Sequence, residues 1–479
     1  MLLTLINHPT PCFTLLKKEA GAEPLYLGNV YRRTMPVSLA RVASILEASL
    51  GIDVDILDLK ALDPANEIAY KTVDLGDRIA TVKRAGAAFE RAREAIARSD
   101  WVGLSNHFTF ESGIIRDLIA YCRHVKPGIK ILVGGADAKA RPDFYVACGA
   151  DIVFRGDVDP RALQNHDWSA PKIVPDYRVP FEDLTRPALH KLEPLGFYTD
   201  SHDGPVPQGV GTPVGFIYFT RGCPRECDFC ESRRTRFEAL PIDAAVSMLE
   251  HYKAHNIHTL NFSDDNLLLL KRDYLLELFA TMRRMGFAWE FPNGLEIGRF
   301  MRGTELDHEL VAHVFQNGVD ADSGRYVGAY RVFVPVETFD HRADYKKLKS
   351  IAVQNRIIEE ILKTGIPEIN FGVVLGPSAD EAAFSDIRRG YQAIKSLVQR
   401  TSRAKARYSV FHLILIALFR SMNTNFSPDD FPEGWNFYFP VYDGHHFTAM
   451  QLFDRRVEVL RQIDLSVDQT MKTGVYAYA

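Results

Sequence analysis

Short apolar runs alternate with longer stretches of helical periodicity from Leu2 as far as Ile416, which restricts the chain to an α/β fold of parallel strands joined by crossover helices. The first set reads as strands at Leu2–Asn7, Asp53–Leu57, Trp101–Ser105, Lys130–Val133 and Asp151–Phe154. Between them lie a helix from Pro36 to Leu50 ended by Gly51, a polar helical stretch from Arg78 to Arg98, and a helix from Ser112 to Val125. This pattern predicts a doubly wound sheet. Ligands of such sheets lie outside the carboxyl ends of the strands, where Asn7-His8, Ser105-Asn106-His107, Gly134-Gly135 and Arg155-Gly156-Asp157 converge. A second set follows at Gly215–Thr220, Thr259–Phe262, Ala288–Phe291, Arg331–Val336, Glu368–Leu375 and Tyr408–Ile416, each strand separated from the next by a helix. Residues 166–210, rich in Pro and Gly, read as a linker. The expected segments are therefore 1–165, 166–210, 211–400 and 401–479.

The cysteines carry the chemistry. Cys223, Cys227 and Cys230 form a C-x3-C-x2-C triad directly after the first strand of the second set, whereas Cys12, Cys122 and Cys148 stand singly in apolar surroundings and read as core residues. Three thiolates on one short loop can each hold one iron of a cubane cluster, leaving the fourth iron open, whereas an electron-carrying cluster is normally closed by four thiolates. A structural zinc site would want a second Cys-x2-Cys knuckle or a His pair, and Glu231 to Leu240 contain neither. A disulfide framework suits a small secreted chain, not 479 residues with 46% apolar content and no apolar leader.

This loop, with the aromatic Phe229 before its last cysteine, resembles the signature of the radical S-adenosylmethionine superfamily. The resemblance implies that the open iron of a 4Fe-4S cluster is chelated by the amino and carboxylate groups of S-adenosylmethionine. It also implies that the six βα units form a partial (β/α)6 barrel, and that an external one-electron reductant of flavodoxin or ferredoxin type serves the cluster. Carried over by position, Asp264 and Asp265 after the second strand would hold the methionine amino group, with an Asp-Asp helix cap as the alternative. Asn293 ends the third strand, Glu337 after the fourth would reach the ribose hydroxyls, and Gly372 and Gly376 on the fifth would offer backbone to adenine.

The first segment resembles the Rossmann-like, cobalamin-binding-type domain that precedes many such barrels. The resemblance rests on an Asn-x-Pro opening strand, the helix start at Met35 to Ala40, Val102 to Ser105, Ile131 to Gly135 and Asp151 to Asp157. It implies that Ser105, Gly134, Gly135 and Gly156 contact the corrin. The Asp-x-His-x-x-Gly motif is absent, so no lower axial ligand is assigned.

Basic and acidic residues nearly balance, 57 against 61, which gives no basic footprint for nucleic acid. No apolar run reaches the roughly 18 residues of a membrane span, and the expected location is the cytoplasm. Asp320 to Tyr330 reads as a polar surface insertion, and Leu418 to Thr424 replaces the Pro-Leu-Pro-Gly-Thr turn of many relatives. Glu433 to Phe447 concentrates aromatic, acidic and histidine side chains and reads either as a substrate cap or as a folded aromatic loop. Tyr442, His445 and His446 there, with Tyr218 on the first barrel strand, are the candidates for proton transfer.

Three functions fit. The first is cobalamin-dependent C-methylation of a small polar, secondary-metabolite substrate through a 5'-deoxyadenosyl radical. The second is a radical dehydration, rearrangement or oxidation, for example of an aminoglycoside-like sugar, with the first domain free of cobalamin. The third is a non-catalytic iron-sulfur electron carrier.

Overall fold

By its internal contacts the chain divides into two units, residues 1–198 with 424–436 and residues 199–423 with 437–479. The computed structural model describes residues 1–28, 33–164, 167–181, 186–202, 204–227, 230, 232–339, 348, 350–375, 379–401, 407–409, 413–415, 427–436 and 438–463. Phe229, Gly376 and the turn at Leu418–Thr424 lie outside these residues.

In the first unit, strands Leu2–Asn7, Asp53–Asp58, Trp101–Ser105, Lys130–Gly134, Ile152–Phe154 and Lys172–Val174 form one parallel sheet. Numbered along the chain, their spatial order is 2-1-3-4-5-6. The order reverses between the first and third strands, beyond whose ends such sheets take ligands. Lys172–Val174 falls in the segment expected to be linker; only three residues long and flanked by Pro171 and Pro175, it shows no alternation to read.

Helix Ser112–Val125 buries Ile114, Ile115, Leu118, Ile119 and Cys122 along one face, in one core with Val102, Leu104 and Ile131. Each such aliphatic side chain contributes about 1.5–3 kcal/mol by leaving water. Burial pushes the Cys122 thiol up to about 12, and Cys12 is also fully buried, as expected of core cysteines.

Arg78–Ala85 corrects the sequence reading. It is not helical but a strand of a four-stranded antiparallel sheet, in the order Leu25–Gly28, Thr10–Lys17, Arg78–Ala85, Glu67–Asp74. Its buried residues Arg78, Ala80 and Val82 recur at every second position, the period of a strand. Of the charges that obscured this period, Lys83 pairs with Glu67 at 3.4 Å, and the Arg84 guanidinium lies 3.8 Å from the Phe89 ring centroid. Of the expected helix, Arg93–Arg98 is α-helical and Phe89–Ala92 a 3-10 turn.

A late segment of the chain also belongs to this unit. Glu433, with no exposed surface, accepts hydrogen bonds from Tyr70 at 3.0 Å and Lys71 at 3.3 Å. It sits against Gly113, where a Cβ would lie 2.0 Å from its Oε1.

The second unit carries six parallel strand positions in sequential order: Val214–Ile217, Thr259–Phe262, Ala288–Phe291, Tyr326–Glu337, Glu368–Leu375, and the pair Arg407–Ser409 and Leu413–Leu415. Helices Ile242–Ala254, Arg272–Arg284, His308–Phe315, Ile351–Lys363 and Glu381–Thr401 alternate with them. This is the order of a partial (β/α)6 barrel. Phe262 stacks on Phe291 at 5.0 Å between ring centroids, and Phe219, Phe279, Trp289 and Phe315 continue the aromatic core.

Asp320–Tyr330 is only partly a surface excursion. Asn317–Val319 pairs antiparallel with the start of the fourth strand, the turn between them is exposed, and Ala329 and Tyr330 are fully buried in the strand.

Across strands two to five, Asn261, Glu290, Arg331 and Glu368 stand in register as one buried polar rung. Arg331 binds Glu290 at 2.9 Å and Glu368 at 2.5 Å, and it donates to Ser201 Oγ and the Pro205 carbonyl. Phe333 and Pro335, on the same strand face toward its carboxyl end, lead from this rung to the site described next.

Candidate functional site

The cysteine loop is clasped at its base. Thr220 and Arg221 pair antiparallel with Ala239 and Glu238, the Arg221–Glu238 ion pair closes at 2.8 Å, and Leu240 N donates to Phe219 O at 2.9 Å. Gly222 is required there: its φ is +82°, and a Cβ would lie 2.1 Å from the Arg236 carbonyl oxygen. Inside the loop, Cys223 N donates to Thr235 Oγ1 at 2.8 Å and Thr235 N returns a bond to Cys223 O at 3.0 Å. Cys230 N donates to Cys227 O at 3.0 Å.

Two carboxylates from the end of the second strand pin the loop to the sheet. Asp264 Oδ1 accepts from Phe219 N at 3.0 Å and from Thr220 N and Oγ1 at 2.6 Å each. Asp265 Oδ2 accepts from Gly222 N at 2.7 Å, and its Oδ1 accepts from Ser232 Oγ. Asp264 therefore faces the strand that enters the loop, whereas Asp265 ties the loop's two limbs together.

Burial raises the Asp264 carboxyl to about 7 against the three hydrogen bonds, which lower it. A carboxyl raised from 3.8 favours the folded state most below pH 3.8, and that advantage is lost as pH rises through about 7. Asp264→Asn is accordingly expected to match the wild type at pH 4 or below and to melt higher at pH 8. Thermal denaturation at the two pH values checks this; an equal difference at both would remove the titration from the account.

All three cysteines line a cleft of about 180 Å³, together with the expected residues Asp265, Asn293, Glu337 and Gly372. Glu337 is buried, with φ +64°, and follows a register shift after Pro335. A left-handed backbone at a non-glycine residue is strained, and such strain clusters at functional sites. Gly372 has a local reason for its missing side chain: a Cβ would lie 2.1 Å from Phe333 Cζ, so the Phe333 ring fills that space. Among the described residues no three His, Cys, Asp or Glu side chains converge on a single ion. A cubane asks for something different, one thiolate on each of three separate irons, and a loop presenting three thiols to one cleft fits it.

Asn266, Glu296, Arg225, Arg233 and Phe333 also line the cleft, and the sequence reading did not single them out. Glu296 pairs with Arg225 and accepts from Asn266 Nδ2 at 2.9 Å. Burial would raise its carboxyl, but the bonds from Arg225 and Asn266 and the Arg225 charge outweigh that and hold it below the usual range. An acid a few residues past the third strand was the available signal.

Other expected residues lie elsewhere. Asp264, Tyr218, Tyr442, His445 and His446 are not among the cleft-lining residues. Tyr442 is fully buried, and burial pushes its hydroxyl pKa upward; His445 and His446 are exposed, at a turn before helix Ala449–Ile463.

In the first unit, Gly135 has φ +104° and would place a Cβ 2.1 Å from Asn106 O, and at Gly156 a Cβ would lie 2.3 Å from Tyr177 O. Both glycines are thus enforced by neighbouring backbone. Gly134 is open, with its nearest neighbour at 3.9 Å, and Ser105 beside it on the adjacent strand is half-buried. Asn106 is held beneath them, donating to Tyr145 OH at 2.6 Å, and the Tyr145 hydroxyl donates to Asp137.

Residues 24–162 match the model of the B12-binding domain family. Over 346 residues the chain is 23% identical to the cytidylyl-2-hydroxyethylphosphonate methyltransferase of Streptomyces wedmorensis, covering 61% of each, so it spans about three fifths of that curated relative. Among solved structures, the radical S-adenosylmethionine methyltransferase TsrM from Kitasatospora setae, with cobalamin and a 4Fe-4S cluster bound, matches at 14% identity and a TM-score of 0.49, over 83% of this chain and 73% of that one. The FeFe-hydrogenase maturase HydG from Carboxydothermus hydrogenoformans matches at 12% identity and a TM-score of 0.31, over 56% and 57%. Residues 24–162 thus match the B12-binding domain family, and in this chain they are joined to a βα unit that carries the C-x3-C-x2-C loop.

Proposed function

We propose that the chain is a radical S-adenosylmethionine enzyme that uses cobalamin to methylate a carbon of a small polar substrate. The observation that carries the reading is the cleft itself, in which three thiols of one clasped loop meet strand-end residues from the second to the fifth strand. The methyltransferase named among the relatives supports methyl transfer as the outcome. When bound, the cluster supplies the electron that splits S-adenosylmethionine to a 5'-deoxyadenosyl radical, and cobalamin supplies the methyl group.

The residues around the cleft have separate tasks. Cys223, Cys227 and Cys230 hold three irons. Asp265 fixes the loop that carries them, and at the cleft, which Asn293 also lines, its carboxylate would receive the methionine ammonium group. Glu337 accepts from the ribose hydroxyls, and Phe333, seated in the notch left by Gly372, gives the nucleoside an apolar floor. Arg233, also at the cleft, offers a charge to the methionine carboxylate or the substrate.

In the first unit Ser105 and Gly134, where backbone is open, would hold the corrin. Gly134→Val is expected to leave the unit folded and the iron content intact while abolishing cobalamin uptake, measured by corrin absorbance of protein made with abundant cobalamin. Gly135→Val would test the fold instead, because its side chain meets Asn106 backbone. Undiminished corrin in Gly134→Val would move the ligand from this edge.

The reaction is tested by mass analysis of products formed from S-adenosylmethionine with a deuterated methyl group. A labelled methyl in product supports the proposal. Deoxyadenosine formed without labelled product would favour a dehydration, rearrangement or oxidation.

A further inference from the structure

Cys223 has a neighbour that neither the loop nor the sheet requires. Asn266, 7% exposed, starts the 3-10 turn Leu267–Leu269 but makes no capping bond with its side chain. Its Nδ2 instead lies 2.9 Å from Glu296 Oε2 and 3.8 Å from Cys223 Sγ. The amide could in principle face either way, but the Glu296 carboxylate only accepts, so it selects the NH2 side. Arg225, two residues beyond Cys223, binds both oxygens of that carboxylate and keeps it in place. The second N–H of the same amide is thereby left to point at sulfur.

We propose that Asn266 is a positioning residue for cluster redox chemistry: oriented by Glu296 and Arg225, it donates an N–H hydrogen bond to the Cys223 thiolate and raises the cluster's reduction potential. The inference rests on the reading of the cysteine cleft as a cluster site. Reduction adds negative charge that is shared with the ligating sulfurs, so a donor aimed at one of them binds the reduced state more strongly than the oxidised one. Hydrogen bonds to the sulfurs are among the protein's means of setting such potentials. Asn266 would thus ease electron entry before S-adenosylmethionine is split, without touching the substrate.

The test is a redox titration of anaerobically reconstituted full-length protein, following the electron paramagnetic resonance signal of the reduced cluster, with iron and sulfide assayed on the same samples. Asn266→Leu removes the donor and keeps the branched shape of the side chain. At a fixed applied potential the reduced-to-oxidised ratio is expected to fall by about threefold, the scale of part of one charge-assisted hydrogen bond. Asn266→Ala also removes the donor but leaves the Glu296–Arg225 ion pair and the net charge unchanged; the ratio should fall in the same direction. If Asn266→Leu loses iron, Asn266→Ala decides the matter. Unchanged ratios in variants with full iron content would overturn the inference and leave the cluster reading standing. Loss of iron in both variants would assign Asn266 to folding of the site and overturn it as well. Wild-type protein that takes up no iron-sulfur cluster would instead remove the reading beneath it.

Discussion

Cys227→Ala is expected to abolish cleavage of S-adenosylmethionine to 5'-deoxyadenosine while leaving the chain folded. The two halves of this expectation have different causes. Activity is lost because the loop presents three thiols and, among the described residues, no fourth lines the cleft, so a missing thiolate leaves one iron without a protein ligand. The fold survives because Cys227 is only half-buried and the loop is held by other groups: the Thr220–Ala239 and Arg221–Glu238 pairing, the Asp265 bonds to Gly222 and Ser232, and Thr235. Cys223→Ala and Cys230→Ala should behave alike. Iron and sulfide content, circular dichroism and deoxyadenosine formation on the same reconstituted samples separate these effects. Full activity in Cys227→Ala would contradict the assignment.

The largest expected effect on stability lies in the polar rung that crosses the second unit's sheet. Arg331→Met is expected to destabilise the second unit by about 3–5 kcal/mol, because it leaves Glu290 buried without its counter-charge. For a unit of this size that corresponds to a fall of roughly 10 °C in its melting temperature. Removing the fully buried partner as well should restore part of the loss, since only the less buried Glu368 then lacks its counter-charge, so Glu290→Gln combined with Arg331→Met is expected to melt closer to the wild type than Arg331→Met alone. None of the rung residues lines the cysteine cleft, and cluster content should accordingly be unaffected in whatever fraction remains folded. A double variant no more stable than the single one would show that the rung does more than balance charge.

The sequence reading succeeded where periodicity and register were local. Leu2–Asn7, Trp101–Ser105, Thr259–Phe262 and Glu368–Leu375 are apolar runs bounded by turn residues, and each is a strand. It failed at Arg78–Ala85, where Arg78, Lys83 and Arg84 hide a two-residue burial period that only the partner strands Thr10–Lys17 and Glu67–Asp74 reveal. It also failed at Lys172–Val174, which pairs with Ile152–Phe154 but is too short to announce itself.

In the site, residue types at strand ends were legible, and Asp265, Asn293, Glu337 and Gly372 reach the cleft of the three cysteines. Which way a side chain turns was not. Asp264 and Asp265 are adjacent, yet one is buried under the loop's entry and the other lines the cleft, a distinction set by which backbone donors each meets. Phe333 and Glu296 were missed for a related reason: an aromatic residue on a strand and an acid in a loop are ordinary until Gly372 and Asn266 are seen beside them. His445 and His446 attracted notice by composition alone, and both are exposed.

The central claim is that the cysteine cleft holds a cluster with one iron left open for S-adenosylmethionine. The most direct measurement is the electron paramagnetic resonance spectrum of the reduced, reconstituted wild-type protein, recorded with and without S-adenosylmethionine and accompanied by iron and sulfide assays. The account predicts iron and sulfide in the ratio of a 4Fe-4S cluster and a spectrum that changes when S-adenosylmethionine is added, as its amino and carboxylate groups take the open iron. A closed cluster whose spectrum is indifferent to S-adenosylmethionine, or zinc in place of iron, would contradict it.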